Sequence, residues 1–204
     1  MFNYLYKYMP IERAFDFCNN YSLRITPRSA LNDPFELRPS FNFIEKCILS
    51  KSSLNTDFKK YLSQVLIESE DFSTNIIIDG KSFYEEMGIV SFTKRKNNLL
   101  MWSHYADEHR GICVEFKIDE TFNRILYTHD AMLEQVNYDN ERYDHENVDD
   151  PNALELSLVH KSLDWEYEQE YRITMLLSKC DNMVLTPNGD KIHLLQFSPS
   201  LVNS

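Results

Sequence analysis

The longest strand candidate in the chain reads WEYEQEYRITMLL, over residues 165–177. Side chains along a strand alternate between two faces, so Arg172 is expected to share one face with three glutamates, Glu166, Glu168 and Glu170. Neighbouring carboxylates repel each other, and such a row is stable where water solvates it or where Arg172 and a bound ligand offset the charge. The apolar continuation Ile173–Leu177 favours an interior strand. The stretch therefore predicts a strand with charged groups on one face, which are either solvated or part of a site.

Shorter segments on either side show the periodicities of strands and helices. Further strands are predicted at 4–8, 23–26, 88–93, 112–117, 125–128, 134–138 and 191–197, and helices at 11–18, 43–72, 99–108 and 154–163. Helices come mostly early and strands mostly late, an order that favours an α+β fold. We predict a mixed, mainly antiparallel sheet flanked by helices. Residues 1–204 are expected to form a single domain with a helical insertion or lid at about 43–87.

Charge and composition exclude several classes of protein. The chain has 204 residues, of which 21 are Lys or Arg and 32 are Asp or Glu, for a net charge of −11. Affinity for nucleic acid rests mainly on neutralising phosphates, so an acidic chain is a poor general nucleic-acid binder, although a local basic patch could still bind one. The chain has 4 glycines, and they are not clustered as a phosphate-cradling loop requires.

Targeting signals and cysteines predict a cytoplasmic protein. No apolar run approaches the roughly 18 residues of a membrane-spanning helix, and the first residues have no signal-peptide pattern. The four cysteines, Cys18, Cys47, Cys113 and Cys180, lie far apart and form no CxxC pair. This spacing predicts free thiols, with neither a disulfide framework nor a zinc site.

Two polar segments lie outside the predicted helices and strands. The loop at Asn32–Glu36 could hold a ligand through Asn32 and Asp33, or it could be an Asx turn that reverses the chain. The basic run Lys94–Lys96 follows the predicted strand that contains Ser91. It is either a phosphate-binding loop or an ordinary charged loop.

The predicted helix at 99–108 carries aromatic and titratable side chains. His104 and Tyr105 share one face, and Trp102 lies on another. One face is expected to pack and the other to line a pocket, with His104 either buried and hydrogen-bonded or part of the pocket. His104 and His109 are about 140° apart around a helix, so they do not form a chelating pair for one metal ion.

Together, these segments resemble the bacterial and phage family known as domain of unknown function 2971. The matching segments are Leu5–Tyr8, Asn32–Glu36, Ser91–Thr93, Met101–Ala106, Gly111–Phe116, and Lys161 with Trp165–Arg172. They span nearly the whole chain. The family name itself carries no function.

The order of a tyrosine-rich strand, a Ser-aromatic-Thr strand and a late Glu-x-Glu also resembles the ADP-ribosyltransferase layout. This resemblance implies an enzyme that uses NAD as its substrate, as a toxin or an antiviral phage-defence effector. It implies that Glu170 stabilises the ribosyl cation as nicotinamide leaves, and that Glu168 activates the acceptor. No metal is expected.

The same resemblance implies the residues around NAD. His104 and Tyr105 line the ribose or acceptor side, and His104 is one of the expected catalytic residues. Tyr6 and Ser91 hold NAD. Lys7, Asn32, Asp33, Trp102 and Arg172 complete the expected cofactor-binding set. The chain departs from the superfamily in its first strand, which has Tyr6-Lys7 in place of a clear His or Arg.

Two alternatives stay open. The first is a non-catalytic module of a defence system that senses a nucleotide or a protein partner. The second is a metal-dependent phosphodiester hydrolase, in which Asp33, Glu36, Glu168 and Glu170 would converge on Mg²⁺. For an ADP-ribosyltransferase, the acceptor is a protein or a nucleic acid.

Overall fold

A computed structural model describes residues 3–33, 36–50, 77–78, 81–147, 150 and 152–203. The chain divides into two compact units, one of residues 1–27, 87–136 and 164–204 and the other of residues 28–86 and 137–163. The single domain with a helical insertion at about 43–87 stays a prediction. Much of the predicted helical region, residues 51–76, lies outside the described residues.

Strands and helices alternate irregularly along the chain. The strands are β1 (Tyr4–Met9), β2 (Ser22–Pro27), β3 (Ile77–Ile78), β4 (Lys81–Ser82), β5 (Met87–Thr93), β6 (Ile112–Lys117), β7 (Met132–Gln135), β8 (Asn137–Asp139), β9 (His160–Ser162), β10 (Glu170–Leu176), β11 (Asn182–Leu185), β12 (Lys191–Gln196) and β13 (Val202–Asn203). The helices are α1 (Ile11–Asn20), α2 (Phe41–Ser50), α3 (Phe83–Glu86), α4 (Leu99–Tyr105), α5 (Glu120–Thr128) and α6 (Ala153–Ser157), and short 3₁₀ helices cover Arg28–Ala30, Leu163–Glu168, Leu177–Lys179 and Pro199–Leu201.

The first unit is built on a sheet in the order β11-β12-β2-β5-β1-β6-β13, with β10 beside β5 and β7 beside β10. Neighbouring strands in this sheet run antiparallel. One edge of β5 pairs with β10 along its whole length. The other edge is shared, because β2 pairs at Ile89 and β1 pairs at Thr93. The predicted α+β fold with a mainly antiparallel sheet is confirmed.

One face of this sheet packs into the hydrophobic core. Phe92 and Phe116 lie on it with ring centroids 5.2 Å apart, and Phe197 packs against both. Helices α1 and α5 contribute Phe17 and Phe122 to the same cluster. Burying a side chain of this size contributes about 1.5–3 kcal/mol. The core therefore fixes the strands whose opposite face carries the polar residues.

Position 111, just before β6, requires glycine because neighbouring backbone atoms approach it closely. A Cβ atom there would overlap the Met9 carbonyl oxygen and lie 2.9 Å from Cα of Ala106. The sequence predicts Gly111 as a helix cap, and its N–H does donate to the Ala106 carbonyl at 2.7 Å. The left-handed backbone after α4 is adopted instead by Asp107–His109, with φ of 47°, 52° and 70°.

We expect Gly111→Ala to lower the free energy of unfolding by about 1–3 kcal/mol, because the added methyl group forces backbone apart in a packed region. Urea denaturation followed by circular dichroism measures the change. A variant that has the urea midpoint and slope of the wild-type protein would contradict this expectation. It would show that the end of β1 at Met9 shifts to accommodate the methyl group without loss of stability.

The strand predicted at 165–177 is wrong in its first part. Residues 163–168 form a 3₁₀ helix, Gln169 has a left-handed φ of 43°, and β10 begins at Glu170. Hydrogen bonds from elsewhere in the first unit hold this turn: Asn98 Nδ2 donates to the Tyr167 carbonyl and Thr93 Oγ1 donates to the Glu168 carbonyl. These long-range donors override the local alternation.

Two other predicted elements are also wrong. The strand predicted at 125–128 is the end of α5, whose start is fixed by Asp119, a side chain that accepts the N–H groups of Thr121 and Phe122. Such a cap satisfies amide groups that a helix start would otherwise leave unpaired. The helix predicted at 154–163 ends at Ser157, and β9 follows.

The second unit contains α2, α3, α6 and two small sheets. Strands β8 and β9 pair in parallel, and β3 and β4 pair antiparallel. Its interior holds polar contacts: the Tyr84 hydroxyl lies 2.6 Å from Ser157 Oγ, and Lys161 Nζ lies 3.6 Å from the Glu36 carboxylate. In the described parts of both units, each helix is too short or too polar to cross a bilayer.

Candidate functional site

Strand register brings several predicted site residues onto one face of the first unit. Thr93 in β5 is aligned with Tyr6 in β1 on one side and with Glu170 in β10 on the other. Ser91 is aligned with Arg172. Directly paired residues of antiparallel strands project to the same side. We call this surface of Tyr6, Ser91, Thr93, Glu170 and Arg172 the polar face.

Glu170 and Arg172 form a buried, two-pronged ion pair on the polar face. Arg172 Nε lies 3.0 Å from Glu170 Oε1, and a terminal nitrogen lies 3.0 Å from Oε2. The exposed fractions are 3 % for Glu170 and 0 % for Arg172. Two parallel charge-assisted bonds fix the orientation of a carboxylate as well as its charge. The sequence expectation that Arg172 offsets the charge of the glutamates is therefore met at Glu170.

Glu168 is hydrogen-bonded to a tyrosine of α4. It is buried at the end of the 3₁₀ helix, and its Oε1 accepts from the Tyr105 hydroxyl at 2.5 Å. Its carbonyl accepts from Thr93 Oγ1, also at 2.5 Å. The predicted row of glutamates on one strand face is thus broken up, because Glu168 precedes the strand and has its own partner.

His104 lies on α4 beside the same turn. Its Nδ1 is 2.9 Å from the Tyr167 hydroxyl, and the two rings pack edge to face with centroids 5.8 Å apart. The residue is exposed. The structure therefore supports the expected hydrogen-bonded histidine but not a buried one, and it places His104 with Tyr167 and Tyr105 at the turn that leads to Glu170.

Tyr6 is paired across the sheet with a residue that the sequence does not single out. Burial, with a hydrogen bond to Glu115, raises the pKa of the Tyr6 hydroxyl. Glu115 also accepts from Asn203 Nδ2 at 3.0 Å, and this bond is the main reason that its own pKa is lowered. Because β1, β6 and β13 meet only through tertiary pairing, no local sequence signal identifies this contact.

Lys7 and Trp102 make contacts that anchor the site. Lys7 Nζ donates to the Ser91 carbonyl at 2.7 Å. The Trp102 ring packs edge to face on Tyr8 at 5.2 Å, and its Nε1 donates to the Lys96 carbonyl at 3.2 Å. These contacts tie β1 and α4 to β5 and to the loop that follows it.

Asn32 and Asp33 belong to the second unit. Asn32 is exposed and Asp33 is buried, and the neighbouring residues 34–35 lie outside the described part of the chain. Within that unit, a cavity of about 230 Å³ lies next to Arg38, Tyr143, His160 and Lys161. The sequence leaves open whether Asn32–Glu36 holds a ligand or forms an Asx turn, and the ligand-binding alternative stays a prediction.

Asn98 joins two parts of the site, and the sequence motifs do not single it out. Its Oδ1 accepts from the N–H groups of Leu100 and Met101 and so caps α4, while its Nδ2 donates to the Tyr167 carbonyl at 2.7 Å. One amide therefore joins the helix that carries His104 to the turn before Glu170. An Asn directly before an apolar helix is a recognisable capping signal.

Cys113 lies in β6 two residues before Glu115 and is aligned with Tyr8. Burial raises the pKa of its thiol to about 11 and that of the Tyr8 hydroxyl to about 12. Reaction with a maleimide requires the thiolate. We expect Cys113 to react at pH 8 about 100-fold more slowly than an unshifted thiol, because it has correspondingly less thiolate.

Mass spectrometry after a timed maleimide pulse tests the labelling of Cys113. The exposed Cys18 is the internal reference, and Cys113→Ser assigns the peptide. Equal labelling rates at both positions would contradict the expected protection.

A hydrolase would need Asp33, Glu36, Glu168 and Glu170 to converge on one cation. Among the residues that the structure describes, no group of three or more His, Cys, Asp or Glu side chains is placed to hold a metal ion. No observation in the described residues favours the hydrolase alternative.

The turn and strand that hold Glu168, Glu170 and Arg172 lie inside the part of the chain that a family model matches. Residues 101–173 match the family described as Protein of unknown function (DUF2971). The match starts in α4 at Met101 and ends in β10 at Ile173. It supports the family resemblance over those residues, and the resembling segments outside them stay an expectation. Comparisons with curated proteins and with solved structures found no match.

Proposed function

We propose that the protein uses NAD as a substrate and transfers its ADP-ribosyl group, with the polar face as the reaction site. The observation that supports this most directly is the shared alignment of Tyr6 and Glu170 with Thr93. The two residues are separated by two strand spacings, about 10 Å. That span suits a nucleotide whose nicotinamide ribose lies at Glu170 and whose remainder extends towards Tyr6.

The proposed chemistry follows from the charges. The bond between ribose C1′ and the nicotinamide nitrogen breaks, nicotinamide leaves as a neutral molecule, and positive charge develops at C1′. The Glu170 carboxylate, kept in place by the Arg172 guanidinium, stabilises that charge. An acceptor hydroxyl or amine then bonds to C1′, and Glu168 accepts its proton.

The test uses the wild-type chain and NAD labelled on its adenine side, in a cell lysate that contains nucleic acid. Nicotinamide release and transfer of the label to macromolecules are measured together. Release with transfer supports the proposal and shows whether the acceptor is protein or nucleic acid. Release without transfer identifies a glycohydrolase, and no release contradicts an NAD-using enzyme.

A second candidate is a non-catalytic module that senses a nucleotide or a protein partner in a defence system. It is favoured by one observation: Glu168 and Glu170 are both buried and both already bonded to side chains of the first unit. Such a module binds NAD or a related nucleotide reversibly, and the nicotinamide bond stays intact. Recovery of unchanged NAD after calorimetrically measured binding distinguishes it from the enzyme.

A further inference from the structure

The backbone of the basic loop Lys94–Lys96 is hydrogen-bonded at the edge of the polar face. The Tyr8 hydroxyl donates to the Arg95 carbonyl at 2.7 Å, and Trp102 Nε1 donates to the Lys96 carbonyl at 3.2 Å. The Arg95 N–H donates to Thr93 Oγ1 at 3.0 Å. These bonds fix the backbone at successive residues, although the side chains of the loop are exposed.

The two lysines of this loop extend to opposite faces of the sheet. Lys96 Nζ lies 6.0 Å from the ring centroid of Tyr6, on the polar face. Lys94 Nζ lies 4.7 Å from the ring centroid of Tyr171, which pairs with Phe92 and belongs to the core face. The loop therefore presents one of its ammonium groups, and not the other, to the proposed nucleotide site.

We propose that Lys96 binds the diphosphate of the dinucleotide at the polar face; this inference rests on the proposed function. An ammonium group next to an aromatic ring offers a charge for phosphate and a surface for the attached ribose or base. The chain has a net charge of −11, so a local cation is needed to offset its repulsion of the doubly charged diphosphate.

Glu115 carries a negative charge close to Lys96 and therefore opposes phosphate binding there. It hydrogen-bonds to Tyr6, and the nearby Lys96 charge contributes to lowering its pKa. The carboxylate therefore neutralises part of the Lys96 field and repels a phosphate at the same place. Removing the Glu115 charge should strengthen phosphate binding, whereas removing the Lys96 charge should weaken it.

The experiment measures binding of ADP-ribose and of adenosine to the full chain by isothermal titration calorimetry at low salt. Lys96→Gln is expected to weaken ADP-ribose binding about tenfold, the size of one partly exposed ion contact. Glu115→Gln is expected to strengthen it about threefold, in line with one like-charge contact at the surface. Adenosine, which has no phosphate, should bind all variants equally.

Lys94→Gln is the matched control, since it removes the same charge from the same loop on the other face. Equal weakening by Lys94→Gln and Lys96→Gln overturns the inference, because it shows a general effect of net charge. Unchanged ADP-ribose affinity in Lys96→Gln overturns it while leaving the proposed function intact. Wild-type protein that binds neither ADP-ribose nor NAD overturns both.

Discussion

Replacement of Glu170 by glutamine is expected to lower the rate of nicotinamide release by about 10²–10³-fold, the cost of removing one fixed stabiliser of a charged transition state. Glutamine keeps the size of the side chain and an oxygen that faces Arg172. It loses the negative charge that would stabilise the positive ribosyl centre. The expected effect is on kcat, with little change in the KM for NAD, because the charge at C1′ develops only in the transition state.

Glu166→Gln is the matched control. It makes the same chemical change four residues earlier, at an exposed side chain of the same segment. Circular dichroism at the assay temperature establishes that each variant is folded. If Glu170→Gln is unstable, Glu170→Asp keeps the charge but withdraws the carboxylate by one methylene, and it should still lose at least tenfold in rate. A folded Glu170→Gln protein with wild-type turnover would remove Glu170 from the reaction.

Arg172→Met is expected to lower the free energy of unfolding by about 3–5 kcal/mol, because it leaves a buried carboxylate without its charged partner. Arg172 is fully buried, and both oxygens of Glu170 are bonded to it. Methionine fills most of the vacated space but supplies no donor. Urea denaturation monitored by tryptophan fluorescence gives the change in stability.

The double variant Glu170→Gln/Arg172→Met separates charge from packing. Once the carboxylate is also neutral, the penalty of an unpaired buried charge disappears. At least half of the lost stability should return. If the two losses simply add, the Arg172 effect comes from packing and not from the ion pair.

The strands of the central sheet were predictable because their hydrophobic patterns are strong. In β6, Val114 and Phe116 alternate with less buried residues, as expected for a strand with one face in the core. The tyrosines of β1 likewise fall on alternate positions, within a strand that extends to Met9. In both cases burial of one face reinforces the local preference.

The turn before β10 could not be predicted in the same way. Aromatic and acidic residues alternate from 165 to 168, a pattern that fits a strand. The 3₁₀ turn forms because the side chains of Asn98 and Thr93, both far away in sequence, donate hydrogen bonds to its carbonyl groups. A single-sequence pattern contains no information about which distant side chain will reach a given carbonyl.

The candidate site was partly predictable for a similar reason. Glutamates, a histidine and tyrosines could be selected by residue type, and the structure brings Tyr6, Ser91 and Glu170 to one face. Their mutual placement depends on the register of β5 with two other strands. Glu115 and Asn203 escaped notice because each is an ordinary polar residue until tertiary pairing brings it beside Tyr6.

The position of β5 has a consequence for how the chain folds. This strand comes from the middle of the sequence, but its partners lie before it, in β1 and β2, and well after it, in β10. Contacts between distant segments slow folding, since much chain entropy is lost before they form. During synthesis, β5 leaves the ribosome with one edge open until residues 170–176 follow. Until then, its backbone groups can pair with another nascent chain, so chaperone dependence and aggregation at high expression should both depend on how quickly β10 arrives.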